Sequence, residues 1–445
     1  MLEIENHVLG NGLRVKLCRR SGLHRVSVLL NVASGCRDER LPGTAHMLEH
    51  MIFRGSRQYP SLRALSEAFE AHGADFNACT AREITSFDVV MPPESFAPVM
   101  SLLGEVISEP RLTGIAAERD IIREEIISDY DDENGLICVD DLICELFYGD
   151  AGRPIAGDPD DLENINKAEV QAYYAAHYAA SNMLLVVTGA FGASEDVIQV
   201  LEQAFSALPT HAERWPRRKM PAHYLHAIEN PDAARILPQL CLKKHDGSTQ
   251  SEVVFGFLCP GMRSEGSAAL EMLVRILDDG MASRLSRRLV EELALVYDAD
   301  ASLSVTQESV LFQIGASCRH RRVGRLVSAV YDLLAEIVRD GIPDSELMRV
   351  KRRLSWEHLA LRDGLVSLAE WITAREMNGM SCDMDERCRR LEAVTGDEIQ
   401  AQARCLLEQR PHIVAIVGNP GPKTQDEIQT AMSSYLSCQI ETTIL

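Results

Sequence analysis

The sequence predicts an α+β protein of two similar halves, each a mostly antiparallel sheet packed with helices, the two facing each other across a cleft. Three observations lead there. A length of 445 residues with 46% hydrophobic content is enough for two or three domains with real cores. The order of apolar strand-like and amphipathic helix-like runs in the first 206 residues is repeated after residue 235, a duplication visible in pattern more than in identity. Between them, 207–234 is polar and holds Pro209, Pro216, Pro221 and Pro231, which reads as a linker. The expected domains are therefore 1–206, a linker 207–234, and 235–445.

The elements follow in order. Strands are expected near 13–19 and 25–34, then a short helix around residue 46, a helix at 61–72 and strands within 75–91. Several helices fill 94–182. The run Met183-Leu184-Leu185-Val186-Val187 reads as a buried strand, and a helix at 194–205 closes the first half. In the second half, Val253-Val254-Phe255-Gly256-Phe257 matches the strand at 25–34 in position. A helix over Ser267–Leu277 stands where the residue-46 helix stood, and Ile413-Val414-Ala415-Ile416-Val417-Gly418 echoes the strand Leu185–Gly189. The helix at 267–277 has no histidine, so any chemistry carried by the first belongs to the first half alone.

That chemistry sits in His46-Met47-Leu48-Glu49-His50. Two histidines four residues apart lie one above the other on a helix and can reach one metal ion, with Glu49 beside them as a carboxylate free to act as a base. The order H-x-x-E-H inverts the H-E-x-x-H of many zinc proteases. A surface helix that happens to carry two histidines is the competing reading. A zinc site needs a third protein ligand. The segment Glu118–Ile127 offers Glu118 and Glu125, two turns apart on one face; Ala117, Ile121, Ile122 and Ile126 give it an apolar stripe, and a solvated acidic helix is the alternative.

Asn11-Gly12-Leu13-Arg14-Val15, the run Gly43–Gly55 around the histidines, Gly73-Ala74-Asp75-Phe76-Asn77-Ala78, the Glu118–Glu125 helix and Gly152–Gly157 together resemble the pitrilysin and insulinase superfamily of zinc peptidases. The branch holding mitochondrial processing peptidase and its bacterial relatives is the most similar. The resemblance implies a metalloendopeptidase acting on short or unfolded peptides in a closed chamber. It implies one zinc ion per chain on His46, His50 and Glu125, with Glu49 as general base and Glu118 supporting the ligands. Glu124 adjoins Glu125, but the seven-residue step from Glu118 fits the family at Glu125. The resemblance also makes Asn77 a contact to substrate backbone. It matches Arg284 and Tyr297, from Gly280–Leu285 and Val296-Tyr297, to an Arg–Tyr pair that binds substrate and stabilises its carbonyl. On residues alone, Arg284 is a helix-face cation, Tyr297 a half-buried strand residue and Asn77 a turn residue. Asp278-Asp279-Gly280 replaces a glycine run common in the family, and Ala294-Leu295-Val296-Tyr297 departs from its usual Gly-Leu-Ala-Tyr. By analogy the chain forms a homodimer or a heterodimer with a related subunit. A non-catalytic or partner-dependent subunit is the alternative function. Cobalt or manganese can replace zinc on such a ligand set.

Composition bounds the partners. A net charge of −21 argues against nucleic acid. No apolar run reaches membrane-spanning length, and Met1 runs directly into Leu2-Glu3-Ile4-Glu5 with no charged-then-apolar leader. Twelve cysteines without a Cys-x-x-Cys pair suggest reduced thiols, hence a cytoplasmic protein. Cys79 is read as a small buried residue. The acidic crowd Asp129, Asp131, Asp132, Glu133, Asp140 and Asp141 suggests a preference for substrates carrying Lys or Arg.

Overall fold

The structure, a computed structural model, describes residues 3–230, 236–436 and 440–445. Among the described residues, twelve strands form two sheets of six. The first half contributes β1 (Glu5–Val8), β2 (Arg14–Arg19), β3 (Val26–Val32), β4 (Asp75–Thr80), β5 (Thr85–Met91) and β6 (Met183–Gly189), ordered β1-β2-β6-β3-β5-β4. The second contributes β7 (Gln239–Lys244), β8 (Ser251–Pro260), β9 (Ala299–Val305), β10 (Ser309–Cys318), β11 (His412–Gly418) and β12 (Glu441–Ile444), ordered β12-β7-β11-β8-β10-β9. The inner pairings match: β2 with β6 and β7 with β11 are parallel, while β3 and β8 are each flanked by antiparallel neighbours. The outer strands differ. β1 precedes β2 through a short turn and pairs antiparallel; β12 arrives from the end of the chain and pairs parallel with β7. Two similar α+β halves are thus observed, and the helix at Ser267–Leu277 is present as expected.

Each half has its own compact unit, but the units are not contiguous in sequence. The first holds residues up to 127, then 153–219 and 359–382; the second holds 128–152, 220–358 and 383–445. Relative to the expected division, two segments change sides. The reason is that the central strands are buried on both faces. Along β8, Val253, Phe255, Phe257 and Cys259 enter one core cluster with Leu270, Leu273, Leu326 and Ile428, while Val254 and Leu258 enter another. Alternation along a strand sends successive side chains to opposite faces, so both need a cover. The second cluster is closed by Leu142, Ile143 and Phe147 of the helix Val139–Tyr148 and by Tyr224 and Ile228 of the helix Ala222–Glu229. Gly256 permits this approach: a Cβ there would stand 2.7 Å from a ring carbon of Phe147.

In the first unit the helix Leu365–Met377 performs the same service for β3 and β6. Asn31 on β3 donates to Thr373 Oγ1 at 3.1 Å, Thr188 on β6 donates to the Leu365 carbonyl at 2.9 Å, and Lys16 reaches Glu376 at 2.6 Å. The expected linker is also more structured than its composition suggests. Residues 207–219 lie on the first unit and 220–230 on the second, which includes a helix; 231–234 fall outside the described residues.

Candidate metal centre

The helix Thr44–Phe53 carries the motif, entered through Gly43 in the left-handed region at φ 83°. Helical spacing brings the rings of His46 and His50 edge to face, with centroids 4.7 Å apart and planes at 73°. The second contributor is the helix Ile115–Ile126. Its buried face is Glu118, Ile122 and Ile126; Ala117 and Ile121, expected in the apolar stripe, are exposed. The stripe therefore runs at four-residue steps from a carboxylate, and Glu118 is buried because it is partnered.

The helices meet at the predicted ligands. Glu125 Oε1 lies 3.5 Å from His46 Nε2, and Glu125 Oε2 lies 3.4 Å from His50 Nε2. One ligand atom from each residue falls within 4.8 Å of the others, the sole such group among the described residues. A tetrahedral ion with bonds of about 2.0–2.1 Å separates its ligand atoms by roughly 3.4 Å, so two imidazoles and a carboxylate at these spacings fit zinc. Glu124, exposed like Glu125, lies outside that group.

Supporting contacts differ between the two histidines. His50 Nδ1 faces Glu118 Oε2 at 3.2 Å, and Arg54 pairs with the other Glu118 oxygen. A carboxylate on Nδ1 holds the ring with Nε2 free for a metal. His46 Nδ1 is buried with no hydrogen-bond partner among the described residues. Burial, helped by nearby His50, pushes the His46 pKa down to about 4, so the ring is neutral and able to ligate at neutral pH.

Glu49 is 8% exposed, and Thr80 Oγ1 on β4 donates to its Oε2 at 2.6 Å. Burial raises its pKa, partly offset by the Thr80 hydroxyl and by His50. A carboxyl raised in this way is a better proton acceptor than a solvated one. Thr80 and Arg54 are the two functional contacts that sequence reading missed. Arg54 stands four residues after His50, a helical-neighbour signal; nothing local to Thr80 points to Glu49, since only the fold brings β4 to the helix.

Asn77 is exposed on β4, the strand at the edge of its sheet, and makes no side-chain hydrogen bond among the described residues. Cys79, two residues on, is exposed rather than buried, because it shares the outward parity of Asn77.

Arg284 and Tyr297 belong to the second unit. Arg284 is 8% exposed and makes a two-pronged ion pair with Glu346, at 3.1 and 2.7 Å. Its Nε and Nη2 are thus both held by the Glu346 carboxylate. Tyr297 is 96% exposed and lies in a loop, not a strand. The loop follows a π-helical run, Ser286–Glu292, and Ala294 at φ 48°, a left-handed conformation whose carbonyl is held by Arg322 at 2.7 Å. Tyr297 lines a cavity of about 690 Å³ within this unit, with Glu252, Asp298, Asp300, Arg319 and Arg322. Of the acidic crowd noted in the sequence, Asp140 also lines it, whereas Asp131 is spent on a turn at Gly135 and on Lys243.

Comparison with known proteins gives the chain a family and a shared fold. Residues 14–158 match the family model "Insulinase (Peptidase family M16)", and residues 164–354 match "Peptidase M16 inactive domain". An uncharacterized zinc protease of Mycobacterium tuberculosis is 27% identical over 429 residues, covering 93% of each chain. One from Streptomyces coelicolor is 28% identical, covering 90% of this chain and 86% of the other. A Helicobacter pylori protease shares the fold with a TM-score of 0.85 at 18% identity, covering 94% of this chain and all (100%) of that one. The first half of the periplasmic protease PqqL of Escherichia coli does so at 0.75 and 20% identity, covering 99% and 98%. With both family models matched and the fold shared, the chain belongs to the pitrilysin and insulinase superfamily.

Proposed function

We propose that this chain is a zinc metalloendopeptidase that hydrolyses short or unfolded peptides in an enclosed chamber. The observation that carries the proposal is the convergence of His46 Nε2, His50 Nε2 and the Glu125 carboxylate, with buried Glu49 on the same helix. His46, His50 and Glu125 would hold one zinc ion, which when bound polarises a peptide carbonyl and acidifies water. Glu49 takes a proton from the attacking water on Oε1, since Oε2 is engaged by Thr80, and passes it to the departing amine as the C–N bond breaks. The exposed edge of β4 with Asn77 offers main-chain groups on which an extended peptide can pair as an added strand. Tyr297 is the second unit's substrate-facing residue in this reading, and Arg284 is scaffold.

A partner-dependent form of the same activity has one observation in its favour: the cation expected beside Tyr297 is committed to Glu346. A homodimer or a dimer with a related subunit is part of the proposal. So is a cytoplasmic location, supported by eleven described cysteines that are all free thiols.

The test is cleavage of a mixture of unstructured peptides by the purified chain, beside Glu49→Gln and a chelated sample, with zinc quantified in each. Cutting lost in both controls, at one zinc per wild-type chain, supports the reading. Absence of stoichiometric zinc from the wild type would overturn it; zinc without cutting would favour the partner-dependent form.

A further inference from the structure

The stretch 207–219, whose composition reads as linker, makes some of the most specific contacts in the first unit. Arg217 holds Asp38 with two prongs, Nε to Oδ1 and Nη2 to Oδ2, both at 3.0 Å, and Nη2 also reaches the carbonyls of Ala33 and Glu83 at 3.3 Å. Arg218 donates to the Arg40 carbonyl at 2.9 Å, and its backbone N–H to the Arg37 carbonyl at 2.7 Å. The Arg40 guanidinium stacks on Trp215, 3.9 Å from the ring centroid. Every one of these contacts falls on 33–40 or on Glu83 beside it. The strap thus fixes the loop that runs into the motif helix.

Glu39 lies inside that loop, between Asp38 and Arg40, and is 4% exposed. Its Oε1 accepts the Gly43 N–H and its Oε2 the Ala45 N–H, each at 2.9 Å. The motif helix has no side-chain cap from its own N-cap residue, which is Gly43. Glu39 therefore satisfies helix-end donors that would otherwise be orphaned. Ala45 immediately precedes His46. A shift or rotation of the first turn moves Nε2 of both histidines relative to Glu125, which sits on a different helix.

We infer that Glu39 is a positioning residue for the metal centre, held in register by the Arg217–Asp38 clamp of the 214–218 strap. This rests on the zinc reading above and names residues outside the ligand set and the base. Glu39 touches neither substrate nor metal; it acts through the helix.

The experiment compares wild type, Glu39→Gln, Arg217→Lys and, as a surface control, Glu202→Gln, which loses only a carboxylate contact to the Gly10 N–H. Glutamine keeps the shape but has one oxygen to accept with where glutamate has two. The readouts are zinc affinity by chelator competition, the visible spectrum of the cobalt-substituted protein, kcat and KM separately, and thermal stability. Glu39→Gln is expected to weaken zinc at least tenfold, alter the cobalt bands, and lower kcat with KM little changed, while Glu202→Gln matches wild type. Wild-type zinc affinity and cobalt spectrum in Glu39→Gln would overturn the inference. If that variant does not fold, Arg217→Lys decides: a threefold or greater loss of zinc affinity at unchanged Tm supports the clamp, and none refutes it. Should the wild type bind no zinc, the metal reading fails by itself. Amide exchange in the metal-free protein then judges the positioning role. Faster exchange confined to Gly43, Ala45 and the first turn in Glu39→Gln supports it, and unchanged exchange there refutes it.

Discussion

Replacing Thr80 by valine tests whether the geometry around Glu49 controls its proton. The two residues have nearly the same shape, so the change removes a hydroxyl from a buried contact without opening a cavity. That hydroxyl donates to Glu49 Oε2 at 2.6 Å, within the short range of a hydrogen bond to an ionised acceptor. Such bonds contribute about 1.5–3 kcal/mol, and this one favours the ionised carboxylate. With about 1.4 kcal/mol per factor of ten, its loss favours the protonated carboxyl by about 10- to 100-fold, on top of the rise in pKa that burial already imposes. The base must be ionised to accept a proton, so the acid limb of the kcat/KM–pH profile moves up accordingly. Below the limb the rate falls about 10- to 100-fold, and on the plateau it changes little. Thr80→Ser keeps the hydroxyl and stays near wild type. The assay is the pH profile on one fluorogenic peptide, with zinc content verified for each variant. An acid limb that stays in place in Thr80→Val, at equal zinc content, would refute the assignment of Thr80 as the support of the base.

Four further outcomes are expected. Glu118→Gln weakens the carboxylate contact on His50 Nδ1 and should lower zinc affinity about 10- to 100-fold; chelator competition showing no change would remove Glu118 from the site. Gly256→Ala drives a methyl to 2.7 Å from Phe147 and should cost about 1–3 kcal/mol in urea unfolding, and a neutral result would mean that the Val139–Tyr148 helix shifts freely. Glu346→Ala strands the Arg284 cation and should cost ~2–3 kcal/mol, a figure set below the full buried-pair cost for its partial exposure; a folded Arg284→Met, Glu346→Leu double variant should keep activity, and its inactivity would restore Arg284 to the catalytic machinery. Finally, burial holds His46 and His177 near about 4 and His412 near about 3, below the ordinary 6.5, while it raises Glu39 from 4.5 to about 8. The three histidines bind fewer protons folded than unfolded, so their contribution falls as pH drops below 6.5; Glu39 binds more, so its contribution falls as pH rises from 4.5 towards 8. The metal-free protein should be most stable near pH 6.5, with the steeper loss on the acid side, and a Tm that climbs steadily from pH 6.5 down to 5 would contradict this.

The sequence by itself determined whatever depends on local periodicity. His46, Glu49 and His50 share one helix, so their spacing alone put both imidazoles on one face. The strands at Leu185–Gly189 and Ile413–Gly418 followed from unbroken apolar runs, whereas the choice of Glu125 over Glu124 needed the family resemblance as well as the two-turn step from Glu118. Tertiary structure decided what depends on which distant segments meet. Thr80 reaches Glu49 because β4 packs on the motif helix, and Arg284 is spent on Glu346 because a helix 62 residues later arrives beside it. The fully buried strands β3, β6 and β11 announce that both faces are covered. They do not say that one cover comes from 359–382 and the other from 128–152. The same limit hid the strap. Arginines and prolines in 207–219 look like solvated linker until the carbonyls of 33–40 and the carboxylate of Asp38 are placed opposite them. Periodicity is a property of a single segment, whereas a partner is a property of two, and only folding specifies the second.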